Sequence, residues 1–158
     1  MHFIYSSLLM LLLLCSNTLK AQDNNVLLEV IGYELGGKWT GKLYQEDKQR
    51  ALATAYDFEL QIDPYQKTVS GYSYIRVGDN NAKISFRGKV NGLQVELTEF
   101  KIQNEKIRDK YMWCLKRMHL RFDFDKGRYR LKGAWDGKTE GNDCSPGSIE
   151  VYKNAIKA

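Results

Sequence analysis

Histidine is nearly missing from this 158-residue chain, which has only His2 and His119. Nucleophilic catalysis on a serine–histidine or cysteine–histidine plan needs an oriented base inside a pocket. His119 lies between Arg117 and Arg121 at a position of outward parity, so it reads as a solvated surface residue. Cysteine is almost as scarce, at Cys15, Cys114 and Cys144. With residues 1–21 set aside as a leader, one histidine and two cysteines that suit each other leave too few ligands for zinc. No stretch approaches the roughly 20 apolar residues of a membrane-crossing helix, the apolar run at 8–14 being far too short. A large excess of one charge is missing too, with 24 Lys and Arg against 19 Asp and Glu and a net charge of +5. So small a surplus favours solubility and gives little support to nucleic-acid binding.

What is present begins with a leader. The apolar run 8–14, then Ser16, Asn17, Thr18 and the small Ala21 before Gln22, reads as a secretory signal peptide over residues 1–21. The alternative is a lipid anchor on Cys15, although Leu14 stands where a small residue is expected. Cleavage leaves residues 22–158 as one domain, secreted or periplasmic, with 23 basic and 19 acidic groups once Lys20 is gone. It also leaves Cys114 and Cys144 as an even pair, and an oxidising compartment makes a disulfide the expected state.

The clearest folding signal is a hairpin at 117–135. Met118, Leu120, Phe122 and Phe124 alternate with His119, Arg121, Asp123 and Asp125, the period-two pattern of a strand with one buried face. Across a turn at Lys126-Gly127, the register that sets Phe124 against Tyr129 and Phe122 against Leu131 also sets Asp125 against Arg128 and Asp123 against Arg130. Packing and charge therefore ask for one alignment.

Further strands are predicted at 37–44, with Trp39, Gly41 and Leu43 inward, and at 53–63, with Thr54, Tyr56, Phe58, Leu60 and Ile62 inward. A turn at Pro64 leads to 68–77, with Val69, Gly71, Ser73, Ile75 and Val77 inward, and 83–90 presents Ile84, Phe86, Gly88 and Val90. Asn91-Gly92 is read as a two-residue type I′ turn, in which both residues take positive φ. It places Val90 against Leu93, Gly88 against Val95 and Phe86 against Leu97, with Glu99 next in the inward series. Residues 24–35 are read as a short helix or plug, 100–110 as irregular with room for a helical turn, 136–146 as a loop and 147–152 as the last strand. Links this short exclude a parallel α/β fold. They predict an all-β fold, an eight-stranded antiparallel up-and-down β-barrel, with a two-sheet Greek-key sandwich as the alternative.

In such a barrel the tight turns at 64–67, 91–92 and 126–127 share one rim, and the longer links at 45–50, 78–81, 100–110 and 136–146 share the other. Cys114 and Cys144 then fall at the same long-loop rim, where they can meet. Trp39 falls near the tight-turn rim, where the lead-in can cap the floor. Tyr56, Ile75, Ile84, Glu99, Trp113 and Trp135 fall near the long-loop rim, an aromatic mouth with one carboxylate whose composition suits a small molecule. A buried Glu99 calls for a base, such as Lys101 or Arg108.

Leu35-Gly36-Gly37-Lys38-Trp39-Thr40-Gly41 resembles the first-strand G-x-W motif of lipocalins and their barrel relatives, the avidins included. Val69-Ser70-Gly71-Tyr72-Ser73 is similar to the glycine-containing third strand of avidin-type barrels, and Gly133-Ala134-Trp135-Asp136-Gly137-Lys138 echoes the first motif. The resemblance implies a lipocalin-like up-and-down barrel that often carries hydrophobic ligands, with Trp39 packed in its base. The positions after the first-strand Trp that avidins use on biotin hold Gly41 and Lys42 here, so no ligand identity carries over.

Other chemistry is thin. Asp123-x-Asp125-x-Gly127 has the outline of a calcium loop, but Arg128 and Tyr129 follow where oxygen donors are needed. Asp136, Glu140, Asn142 and Asp143 are a better, still sparse, oxygen set. Glycoside hydrolysis needs two converging carboxylates, and only Glu99 has inward parity. The basic stripe Arg117, Arg121, Arg128, Arg130 and Lys132 faces away from the aromatics, whereas single-stranded nucleic acid needs both on one surface. Trp39, Phe58, Phe86, Phe122 and Phe124 are expected as core. The expectation is a non-enzymatic exported barrel, without metal or cofactor, that binds a small hydrophobic or amphipathic ligand at the long-loop rim. The alternative is a module with a filled core that acts through its loops on another protein or a surface glycan, for instance as an inhibitor of an exported enzyme.

Overall fold

A computed structural model describes residues 33–47, 52–106 and 112–154. The expected signal peptide, Cys15, Arg108 and most of the lead-in lie outside these residues. Eight strands follow in order: β1 Gly37–Asp47, β2 Leu52–Tyr65, β3 Thr68–Val77, β4 Asn80–Asn91, β5 Gln94–Lys106, β6 Leu115–Asp125, β7 Arg128–Lys138 and β8 Gly147–Lys153. Each pairs antiparallel with the next, and β8 returns to β1, with Leu43 facing Ile149, to close the barrel. Among the described residues no helix is long and apolar enough to cross a membrane.

The anchor hairpin takes its expected register: Phe124 faces Tyr129, Phe122 faces Leu131 and Asp123 faces Arg130. Its turn has positive φ at both Lys126 (49°) and Gly127 (77°), the type I′ pattern. The β4–β5 hairpin departs from expectation. Asn91 pairs with Gln94 and Val90 with Val95, so the loop is Gly92-Leu93. Only Gly92 there has positive φ, 56°, the type II′ arrangement with glycine first. Each partner moves by two residues, which preserves parity, so Val95, Leu97 and Glu99 still point inward.

Strand β5 also runs through residues expected to be irregular. Two register shifts, between Lys83 and Ile84 and between Ser85 and Phe86, leave Gln103 and Phe100 without a β4 partner. Such bulges insert single residues and let pairing continue while breaking the period-two pattern. Similarly β7 continues to Lys138, and a bridge from Lys138 to Asp143 shortens the expected loop.

The lower barrel is filled. Trp39, Phe58, Leu60, Ile62, Phe86, Leu97, Met118 and Leu120 are all essentially inaccessible. Trp39 meets Phe122 edge-on, with centroids 6.2 Å apart, and its Nε1 donates to the Leu35 carbonyl at 2.9 Å. Tyr33–Leu35 form a single helical turn under this floor, pinned by Lys153 Nζ donating to the Glu34 carbonyl and carboxylate. Phe124 is a correction. The floor closes one layer earlier, on Leu35, Trp39 and Phe122, so Phe124 is 65% exposed and packs only edge-on against Tyr129. Thr54, expected inward, is exposed where β2 projects beyond the mouth.

Outside, Arg130 grips Asp123 with two parallel bonds of 2.9 and 2.8 Å and also reaches Asp125 and Glu150. These bonds hold the Asp123 carboxyl below its ordinary 3.8. A carboxyl lowered in this way stabilises the fold fully above its unfolded value, and that contribution disappears as pH falls through the folded value. Urea titrations should therefore show the stability gap between wild type and D123N closing between about pH 5 and pH 2. A gap that stays constant over that range would contradict the assignment.

Candidate functional site

The mouth takes its shape from where the β5–β6 ladder stops. It runs from Gln94↔Arg121 to Thr98↔Arg117, and the next amide, Lys116 N–H, donates to the Glu99 Oε2 carboxylate at 2.8 Å instead of to a backbone carbonyl. Lys116 Nζ lies 2.9 Å from the same oxygen, and Ser73 Oγ donates to Oε1 in a short bond. The side chains of Lys116 and Glu99 are 2% and 0% exposed. An ionic pair therefore stands inside the wall, beside Trp135 on the neighbouring strand. Isolated charges would not survive there, and what offsets their lost hydration is mutual attraction plus three donors on one carboxylate.

Among the described residues the base beside Glu99 is thus not Lys101, which is exposed and pairs across from Ser85, while Arg108 lies outside the described residues. The base is Lys116, two residues before Met118 in the inward series. Parity in the sequence already placed Lys116 inward, and a lysine at an inward position is the signal that would have found it.

Above this pair lies a hollow of about 290 Å³ whose walls include Tyr56, Ile75, Trp113, Trp135, Met112 and Lys116. Four of the six sequence-predicted residues, Tyr56, Ile75, Trp113 and Trp135, are thereby brought together. Glu99 lies behind Lys116, and Ile84 is fully buried below and does not line the hollow. Trp135 is held by Nε1 donating to the Tyr44 carbonyl at 3.0 Å. Glycine at 147 permits this approach, since a Cβ there would sit 1.8 Å from the Tyr44 oxygen and 2.8 Å from Trp135 Nε1.

The Cys114–Cys144 disulfide ties the segment entering β6 to the loop after β7, Cα atoms 6.4 Å apart. Cys144 N–H also donates to the Gly137 carbonyl and Glu46 N–H to that of Pro146, so backbone and covalent links hold this side of the mouth together. Removing the bridge in C114S/C144S should cost about 2–4 kcal/mol in chemical denaturation. It should also red-shift tryptophan emission as Trp113 gains water. Unchanged stability would contradict a bridge formed in the folded protein.

A larger hollow of about 470 Å³ lies along the outer wall and includes Asp57, Glu59, Tyr74, Arg76 and Lys83. Its carboxylates are already engaged, Asp57 by Lys42 at 2.7 Å and Glu59 by Lys38 at 2.7 Å. The mouth, with three aromatic walls and a buried polar base, is the better candidate. Of the sparse oxygen set at the end of β7 and in the loop beyond it, Asp136 is bonded by Arg117 and Asp143 lies 3.5 Å from Lys138. Among the described residues no group of three or more His, Cys, Asp or Glu is arranged so that it could hold a metal ion. The basic stripe is likewise partly consumed, Arg117 by Asp136 and Arg130 by three carboxylates.

The class defined by this architecture is the closed, eight-stranded, antiparallel up-and-down barrel, a shape compatible with calycin-like proteins. No protein-family model and no curated protein matches the chain in sequence.

Proposed function

We propose that this protein is an exported, non-enzymatic barrel of lipocalin-like type that binds a small hydrophobic or amphipathic molecule at its long-loop rim. The observation that carries the reading is the 290 Å³ hollow between Tyr56, Trp113 and Trp135 above a buried ion pair. Flat apolar walls with a few fixed polar groups are the usual makeup of small-molecule sites, and the volume falls just below their range of about 300–1,000 Å³. Because the barrel below is packed, the ligand occupies the mouth and does not run down the axis. The disulfide fits export, since such bonds persist in oxidising compartments.

The test is native mass spectrometry of the secreted protein for a co-purified small molecule, combined with thermal shifts across a panel of lipophiles. A ligand that binds only the folded state raises the melting temperature. Quenching of tryptophan emission by the same ligand, lost in W135A, places it at the mouth. No bound mass and no shift across the panel would sink this reading. The packed interior, with Trp39, Phe58 and Phe86 all at most 1% exposed, favours a second one: a module that acts through its loops on a protein partner.

A further inference from the structure

We propose that the mouth selects a neutral amphiphile, a flat apolar body bearing one hydrogen-bond acceptor oxygen such as a ketone, ester or amide, which Lys116 Nζ receives. The inference rests on the mouth being a small-molecule site, and it names the class of molecule.

An ammonium carries three protons. Among the described residues Lys116 Nζ has two acceptors, Glu99 Oε2 at 2.9 Å and the Cys114 carbonyl at 3.0 Å. Its side chain is 2% exposed yet forms part of the wall of the hollow, so the remaining donor capacity belongs to a site with little water to satisfy it. A buried donor left short of partners is costly, and an acceptor that supplies the missing bond gains what water cannot give there.

The sign of the ligand follows from Glu99. Its carboxylate already receives Ser73 Oγ, the Lys116 amide and Lys116 Nζ, so the pair is neutral as a unit. A ligand carboxylate placed on Lys116 would stand beside a second anion in a medium that screens poorly. A ligand cation would find both oxygens of Glu99 already engaged and would face Lys116. A neutral oxygen meets neither penalty. Tyr56, Trp113 and Trp135 then cover the apolar body, which explains aromatics around the rim of a site whose base is polar.

Three probes of one shape separate the possibilities: 2-acetylnaphthalene, 2-ethylnaphthalene and 2-naphthoate, titrated by tryptophan quenching into the intact secreted protein. The expected result is that the ketone binds about tenfold or more tightly than the hydrocarbon or the carboxylate. In E99Q/K116M, where the glutamine oxygen can still accept from the residue 116 amide and its NH2 can donate to Ser73 Oγ, the ketone and hydrocarbon should bind alike. The wild-type ranking decides the matter even if that variant fails to fold. Equal binding of all three overturns the polar anchor while leaving a mouth that binds apolar molecules. Preference for the naphthoate overturns the neutral class. Binding of none overturns the reading of the mouth as a small-molecule site, and this inference falls with it.

Discussion

Replacing Lys116 alone by methionine is expected to lower the thermal midpoint by roughly 10 °C, and replacing Glu99 and Lys116 together by leucine and methionine is expected to restore most of it. The asymmetry comes from what each change leaves behind. K116M strands the Glu99 carboxylate, 0% exposed, with only Ser73 and one amide for company. Breaking one half of a buried pair typically costs about 3–5 kcal/mol, while exchanging both halves for apolar groups of similar volume is often neutral or stabilising. For a chain of this size each kcal/mol moves the midpoint by about 2–4 °C. Thermal melts followed by circular dichroism at neutral pH decide it. Equal losses in the single and double variants would mean that the pair is held for packing alone. A double variant more stable than wild type would indicate that the native pair is retained at a cost to the fold, as a binding site is.

At the other end of the barrel, W39A is expected to cost about 3–5 kcal/mol in urea unfolding, the range for deleting a buried large aromatic. Trp39 is 0% exposed, lies edge-on to Phe122 and donates to the Leu35 carbonyl. W39F keeps most of the ring area and gives up the indole bond, so it should lose about 1–3 kcal/mol, the cost of leaving a buried acceptor unsatisfied. Hydrogen exchange adds a local readout, since the turn at Tyr33–Leu35 should lose protection in W39A beyond what the global destabilisation explains. A W39F variant as unstable as W39A would show that the hydrogen bond, and not the ring, holds the floor.

How far such features can be read from sequence depends on how many independent constraints meet at one place. The hairpin at 117–135 was legible because apolar alternation and the Asp123–Arg130 pairing both specify its register. The β4–β5 hairpin carried one turn rule. Asn91 and Gly92 both tolerate positive φ, but only Gly92 takes it, and the loop shifts to Gly92-Leu93. Because hairpin shifts that keep strand parity leave the inward set unchanged, Glu99 was still placed inside. Strand β5 beyond Glu99 was illegible, since two bulges erase its period. Phe124 read as core because parity says which face a residue occupies and nothing about where the barrel ends along its axis. The partner of Glu99 was missed for a related reason. Nearness in the chain points to Lys101, whereas the nearest neighbours of a strand residue lie across the ladder, and Lys116 follows Thr98↔Arg117 by one step.

Closure of the barrel through β1 and β8 bears on how the chain reaches its native state. Thr40 and Asn154, hydrogen-bonded at 2.7 Å across that seam, are 114 residues apart in the chain. Every other strand pair is a sequential neighbour and can form early, while this one waits until nearly the whole chain has emerged. Until then β1 and β8 each present a bare row of amides and carbonyls, the template on which two copies exchange strands or aggregate. Once the seam zips, each of the eight described strands has a neighbour on both sides, and bare backbone is left only where β2 and β5 run past their β3 and β6 partners, so the hazard is greatest in the brief period before closure.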